Sequence, residues 1–163
     1  MKKVFLIAAI SAISFAGFSQ KSDNSTKISI GAELGLPVGD MSAITSLNIG
    51  ISAQADFNVA SQIDLTLNAG YIKYLGKDGG DGFGVIPVLG GVKYHFSDKL
   101  YGSAQLGISF INWGGGETVS NFTFVPGIGY QVSDNFDLLL KYNSISDNGG
   151  SINCLGIRAA YTF

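Results

Sequence analysis

The chain has 163 residues, one cysteine, one histidine and a formal net charge of −2. Charged residues make up 13% of it, about half the ~25% of an average soluble domain, and 46% of the residues are hydrophobic. This composition excludes a disordered chain, a disulfide scaffold, a cysteine-rich zinc module and a nucleic-acid-binding domain. We therefore expect no cofactor, no metal site and no nucleic-acid partner.

The N-terminus has the pattern of a secretory signal peptide. Lys2 and Lys3 precede an apolar stretch, and the small residues Gly17 and Ser19 favour cleavage before Gln20. We predict a cleaved signal peptide over residues 1–19 and a single mature domain over residues 20–163. The alternative is an N-terminal membrane anchor, although the apolar stretch is short for a bilayer.

From Lys27 onward, apolar residues recur at every second position, which is the period of a β-strand with two different faces. Between Leu47 and Phe57, for example, apolar residues alternate with small or polar ones without exception. This alternation predicts eight strands, over residues 27–36, 47–57, 63–71, 86–96, 100–110, 122–132, 136–142 and 153–163.

The predicted connections alternate between long and short. Long stretches rich in Gly, Asp and Ser follow the odd-numbered strands (residues 37–46, 75–84, 112–121 and 144–151), and tight turns follow strands two, four and six (58–62, 97–99 and 133–135). The hairpin segments 94–100 and 130–136 are similar in sequence, and 57–63 is a weaker third copy. Such asymmetry is typical of an up-and-down barrel in an outer membrane. Propellers and solenoids also repeat, but they usually need longer chains.

The predicted strands have the length that an outer membrane requires. Strands of ten to eleven residues, rising ~3.3 Å per residue and tilted by ~40°, cover about 25 Å. The apolar positions, among them Ile51 and Leu67, then face lipid, and the small or polar positions fill the interior. Aromatic residues near the strand ends match two interfacial girdles. We predict an all-β fold, an eight-stranded antiparallel up-and-down transmembrane β-barrel; the alternative is a soluble lipocalin-type barrel with its apolar residues inside.

The C-terminus carries the most specific resemblance. The last strand alternates through Leu155, Ile157 and Tyr161 and ends on Phe163, which is similar to the terminal strand of Gram-negative outer-membrane proteins. With the leader and the eight strands, the chain resembles the outer membrane protein β-barrel domain family, the porin-family barrels similar to OmpX and the membrane domain of OmpA. The resemblance implies an outer-membrane location, surrounding lipid, and recognition of Tyr161 and Phe163 by the barrel-assembly machinery.

Charged residues of both signs fall at inward positions. An eight-stranded barrel has an interior just wide enough for side chains, where charges must pair or be hydrated. Because closure makes strand eight the neighbour of strand one, we predict an ion pair between Arg158 and Glu33. The charges could gate an ion path or simply plug the interior, and we favour the plug. The predicted lumen charge network comprises Glu33, Lys93, Asp137, Lys141 and Arg158.

The sequence shows no catalytic constellation. The one histidine, His95, falls beside a short turn, away from the long loops and therefore from the outer leaflet where lipid A acylases and deacylases work. We predict a non-enzymatic, monomeric barrel with a structural or surface-contact role carried by four outer loops. Trp113 is the predicted contact residue, and an extracellular ligand is a candidate partner. The alternative is a narrow channel or binding barrel for small apolar solutes or lipids.

Overall fold

The computed structural model describes residues 26–77, 80–114, 117–147 and 149–163, so the leader predicted over residues 1–19 lies outside it. A short 3-10 helix, Gly39–Ala43, follows the first strand. Among the described residues, no helix is both long and apolar enough to cross a bilayer. The strands are β1 (Thr26–Val38), β2 (Thr45–Ala60), β3 (Ile63–Gly76), β4 (Phe83–His95), β5 (Leu100–Asn112), β6 (Thr118–Ser133), β7 (Phe136–Asp147) and β8 (Gly150–Thr162).

The eight strands form one closed antiparallel barrel in chain order. Each strand pairs with its neighbours in sequence, and β1 pairs with β8 from Ser29 opposite Thr162 to Val38 opposite Asn153. Closure leaves no free sheet edge. The predicted all-β, eight-stranded up-and-down topology is confirmed.

The predicted division of the two strand faces is also confirmed. Ile51 and Leu67 are 66% and 59% exposed on the outside, whereas their sequence neighbours Ser52 and Thr66 are buried inside. Successive side chains of a strand point to opposite faces, so the two-residue period explains why each exposed apolar residue has a buried polar neighbour. The barrel therefore has an apolar outer surface, and at these positions its interior is polar.

The strands are longer than predicted, and the connections are correspondingly shorter. β3 continues past Tyr71 to Gly76, and β7 continues past Tyr142 to Asp147. The β7–β8 connection spans only residues 148–149, as short as the β2–β3 turn at residues 61–62. The predicted extents of the long connections were therefore wrong, because their flanking residues belong to strands.

The barrel has two distinct ends. We call the end that carries the β1–β2, β3–β4, β5–β6 and β7–β8 connections the loop end. The opposite end carries Thr26, Phe163 and the other three connections, and we call it the terminal end. The interior differs between these ends, and this difference positions the candidate site.

Candidate functional site

The candidate site is the barrel interior, which contains all five residues of the predicted lumen charge network. Each of the five is buried, with at most 7% of its surface exposed. Alternation placed them correctly, because all of them lie on the inward face of their strands. Lys141 pairs with Glu33, and Lys93 pairs with Asp56, whereas Asp137 and Arg158 bond to hydroxyl groups. The five predicted residues are Glu33, Lys93, Asp137, Lys141 and Arg158.

The first ion pair joins β1 and β7 across β8. Lys141 Nζ lies 2.6 Å from Glu33 Oε2, and both side chains are almost completely buried. In the strand register, Lys141 stands opposite Gly156, which in turn stands opposite Gly35. At this level β8 carries no side chain, and the Lys141 side chain spans β8 to reach the Glu33 carboxylate.

The predicted ion pair between Arg158 and Glu33 is wrong. The two residues do stand directly opposite each other in the β1–β8 register. However, Arg158 Nε donates a hydrogen bond to Ser52 Oγ at 2.9 Å, and Nη2 donates one to Ser29 Oγ at 3.0 Å. The guanidinium lies over Gly31, where an added Cβ would be 2.6 Å from Nε. Arg158 therefore turns away from Glu33 because a glycine leaves space for it beside two hydroxyl groups.

The second ion pair joins β2 and β4. Lys93 Nζ lies 2.6 Å from Asp56 Oδ2, and Gln54 Nε2 donates to Asp56 Oδ1 at 2.8 Å. Gln105 Nε2 extends the network, donating to Gln54 Oε1 at 3.1 Å and to Thr66 Oγ1 at 3.2 Å. Lys93 and Gln54 thus provide a donor for each oxygen of the buried Asp56 carboxylate, as a charge in a low-dielectric interior requires.

Asp137, the remaining acid of the predicted network, pairs with a tyrosine rather than a lysine. The Tyr101 hydroxyl donates to Asp137 Oδ2, and Lys93 Nζ lies 4.9 Å from the centroid of the Tyr101 ring. The ring lies directly against Gly129, its partner in the β5–β6 register. The predicted network does not include Tyr101; the signal for it is an aromatic residue at an inward position, in register with a glycine.

The terminal end of the lumen opens into a polar cavity of about 300 Å³. His95 Nε2 lies 2.8 Å from Asp64 Oδ2, and Asn58 Nδ2 donates to Asp64 Oδ1 at 2.8 Å. His95 therefore stands at the end of the barrel that the sequence predicted. In the described part of the chain, no group of three or more His, Cys, Asp or Glu residues could hold a metal ion.

The loop end of the lumen is filled by apolar side chains, which we call the apolar plug. The Tyr74 and Phe83 rings are stacked with centroids 4.6 Å apart, and the centroids of the Phe83 and Trp113 rings are 4.4 Å apart. Trp113, the predicted contact residue, packs against Phe83 of the plug, and 44% of its surface remains exposed. The plug consists of Met41, Ile72, Tyr74, Phe83, Val85, Ile111, Ile145 and Ile152.

The predicted assembly signal, Tyr161 and Phe163, lies at the terminal end. The two rings pack edge to face with centroids 5.3 Å apart, and Phe163 is 74% exposed. The Phe163 backbone N–H donates to the Ile28 carbonyl at 3.0 Å, which fixes the last residue against β1. The aromatic side chain is therefore held in place while its surface stays accessible.

Comparisons with known proteins show the fold. No family model and no curated protein matches the sequence. Among solved structures, the chain is similar to Ail, the attachment invasion locus protein of Yersinia pestis, with 14% identity and a TM-score of 0.59 over 87% of this chain and 100% of that one. It is also similar to the N-terminal β-barrel domain of Pseudomonas aeruginosa OprF, with 13% identity and a TM-score of 0.58 over 86% of this chain and 100% of that one. Neisserial surface protein A is similar as well, with 16% identity and a TM-score of 0.56 over 86% of this chain and 98% of that one. The chain has the fold of these barrels.

Proposed function

We propose that the chain is a non-enzymatic, monomeric barrel integral to the outer membrane of a Gram-negative bacterium. One observation carries this proposal: every strand presents large apolar side chains on the outside. A continuous apolar surface of this kind is an aggregation liability in water, but it suits the hydrocarbon of a bilayer. One such residue from each strand, in order, each at least 49% exposed, is Ile30, Ile51, Leu67, Val88, Leu106, Ile128, Leu140 and Ile157.

The filled interior supports a structural role over a channel. Ile111 in the apolar plug and Arg158 in the charged lumen are 0% and 1% exposed, so side chains occupy both halves. The ammonium groups of Lys93 and Lys141 each lie 2.6 Å from a carboxylate oxygen. In these two ion pairs neither lysine is left without a carboxylate partner, which favours a plug over an ion path. At the loop end, the apolar plug occupies the space that an apolar solute would have to pass through.

A surface-contact role through the four connections at the loop end completes the proposal. Trp113 offers the exposed aromatic surface there, and aromatic residues commonly anchor protein interfaces. The similar barrel Ail is named for attachment and invasion, which is in keeping with contact roles on this fold. At the other end, the exposed Phe163 ring is available to the barrel-assembly machinery.

Cysteine labelling tests the membrane location. The variants Ile51→Cys and Leu67→Cys, reconstituted in phosphatidylcholine nanodiscs, should resist a charged, water-soluble maleimide until the barrel is unfolded. Asp98→Cys, on the exposed turn at residues 96–99, is the matched control and should react at once. The unmodified chain provides the blank, because Cys154 is fully buried.

One labelling result would contradict the proposed membrane location. Equal labelling of Ile51→Cys and Asp98→Cys in the folded protein would show that water reaches the apolar belt, and the membrane proposal would fail. Folding is monitored in the same samples by gel migration with and without heating, because a closed barrel that resists detergent migrates differently before it is unfolded.

A further inference from the structure

The outer face of the barrel contains a groove of about 270 Å³ near the loop end. Its floor is the start of β4, where Gly84 takes the first outward position and Gly82 lies just before the strand. Lys73 on β3 and Asn112 on β5 flank Gly84 directly in the strand register. Since neighbouring strands lie ~4.8 Å apart, the two polar residues bracket a glycine floor about 10 Å wide.

The groove changes from polar to apolar along the barrel axis. Its loop-end margin carries the Lys73 ammonium and the Asn112 amide, whereas Ile86 stands two residues farther along β4 towards the middle of the barrel. Ile86 is in register with Phe110 on β5, and both belong to the apolar outer surface. The Tyr71 ring lies against Gly84, with its hydroxyl 2.8 Å from the position of a Cβ on that glycine.

With respect to the described residues, the polar groups of the groove retain free donors. Lys73 Nζ donates one hydrogen bond, to the Gly82 carbonyl at 3.1 Å, although an ammonium group has three N–H donors. Asn112 Oδ1 accepts from the Gly114 N–H at 2.9 Å, and its Nδ2 makes only a long contact of 3.5 Å with Thr118. The groove margin therefore presents a positive charge and N–H donors to whatever lies outside the barrel.

We propose that this groove binds a membrane lipid with an anionic phosphate head group. The phosphate is held between Lys73 and Asn112, and an acyl chain runs over Ile86 along the apolar surface. This inference rests on the proposed membrane location, because only a bilayer supplies a ligand with an acceptor-rich head and an apolar chain in this orientation. Lysine side chains reach from apolar surface to head groups in this way, and aromatic residues such as Tyr71 mark the same level.

Native mass spectrometry of the released barrel tests the lipid site. The protein is reconstituted in phosphatidylcholine nanodiscs that contain a minor share of phosphatidylglycerol, and the lipid retained after release is counted. Lys73→Gln should lower the retained phosphatidylglycerol about fivefold, the effect of one lysine charge near a membrane surface. Lys77→Gln removes an exposed lysine at the same end that does not line the groove, and it should retain the wild-type amount.

A second variant tests the shape of the groove without changing its charge. Gly84→Leu fills the floor and should lower retention of phosphatidylglycerol to a similar extent, although Lys73 remains. Equal retention by the wild type, Lys73→Gln and Gly84→Leu would overturn the lipid site. Displacement of the lipid by millimolar inorganic phosphate would identify free phosphate as the ligand and would also overturn it.

The two proposals fail in distinguishable ways. A protein that does not enter nanodiscs, or that shows no heat-modifiable migration, contradicts the membrane location itself. A protein that inserts normally, but retains phosphatidylglycerol equally in the Lys73→Gln and Lys77→Gln variants, contradicts only the lipid site.

Discussion

The two halves of the barrel interior are built on different principles. Towards the terminal end, buried charges have specific polar partners: Lys141 pairs with Glu33 and Lys93 with Asp56, whereas Asp137 and Arg158 bond to hydroxyl groups. Towards the loop end, the apolar plug fills the same cylinder with aliphatic and aromatic side chains around Ile111. Side chains occupy both halves of the lumen, yet only the charged half depends on particular partners.

This contrast predicts where a single substitution lowers the free energy of unfolding most. A large-to-small change in the plug removes contacts and leaves a cavity, at a cost that depends on how far the neighbours relax. Removal of one member of a buried ion pair leaves the other charge without compensation in a low-dielectric interior, which typically costs more. The charged half should therefore be the more sensitive of the two.

The largest expected effect comes from Lys141→Met. The substitution keeps most of the side-chain volume but leaves the Glu33 carboxylate buried without its cation, and we expect the free energy of unfolding to fall by about 3–5 kcal/mol. Urea unfolding in lipid vesicles, followed by the fluorescence of Trp113, measures this change. Trp113 is a suitable reporter because it is the one tryptophan in the chain and packs against the apolar plug.

The double variant Glu33→Gln/Lys141→Met provides the control. With both charges removed, most of the lost stability should return, because a neutral amide needs far less compensation than a carboxylate. If the double variant is as unstable as Lys141→Met alone, the loss comes from packing. The proposed contrast between the two halves would then be wrong.

The charged half also shows what strand alternation can predict. Because the strand period is two and the barrel is closed, the sequence located Glu33 and Arg158 on the inner face and on adjacent strands, as observed. It could not predict their partners, because long side chains choose among several neighbours at similar distances. The choice depends on local free volume: Gly31, for example, accommodates the Arg158 guanidinium.

The apolar half shows why the strand ends were missed. In β3, alternation would require polar residues at the inward positions beyond Tyr71, but Ile72 and Tyr74 occupy them and belong to the plug. With apolar residues on both faces, the period-two signal disappears although the strand continues to Gly76. Alternation in hydrophobicity detects a strand only where one of its faces is apolar and the other is polar. It therefore cannot detect the part of β3 that is apolar on both faces.

A smaller effect is expected from Gly129→Ala, which sharpens the account of the charged half. The new methyl group would overlap the Tyr101 ring, and the ring must then move away from Asp137. We expect a loss of about 1–3 kcal/mol, the usual cost of overpacking, in the same urea assay. Gly90→Ala is the matched control, since its Cβ would lie 3.7 Å from Leu67 Cδ2, an ordinary contact. Equal losses in both variants would point to the backbone rather than the Tyr101 ring.

The smallest expected effect is that of Trp113→Ala, at the boundary of the apolar plug. The substitution removes one aromatic contact from Phe83 but leaves the stack of Phe83 on Tyr74 intact, so we expect a loss of about 0.5–1.5 kcal/mol. Circular dichroism during urea unfolding measures it, because the fluorescent reporter is lost. Trp113→Phe keeps an aromatic ring on Phe83 and should recover most of the stability. A loss as large as that of Lys141→Met would mean that the plug depends on one particular contact as strictly as the charged half does, and the distinction between the halves would not hold.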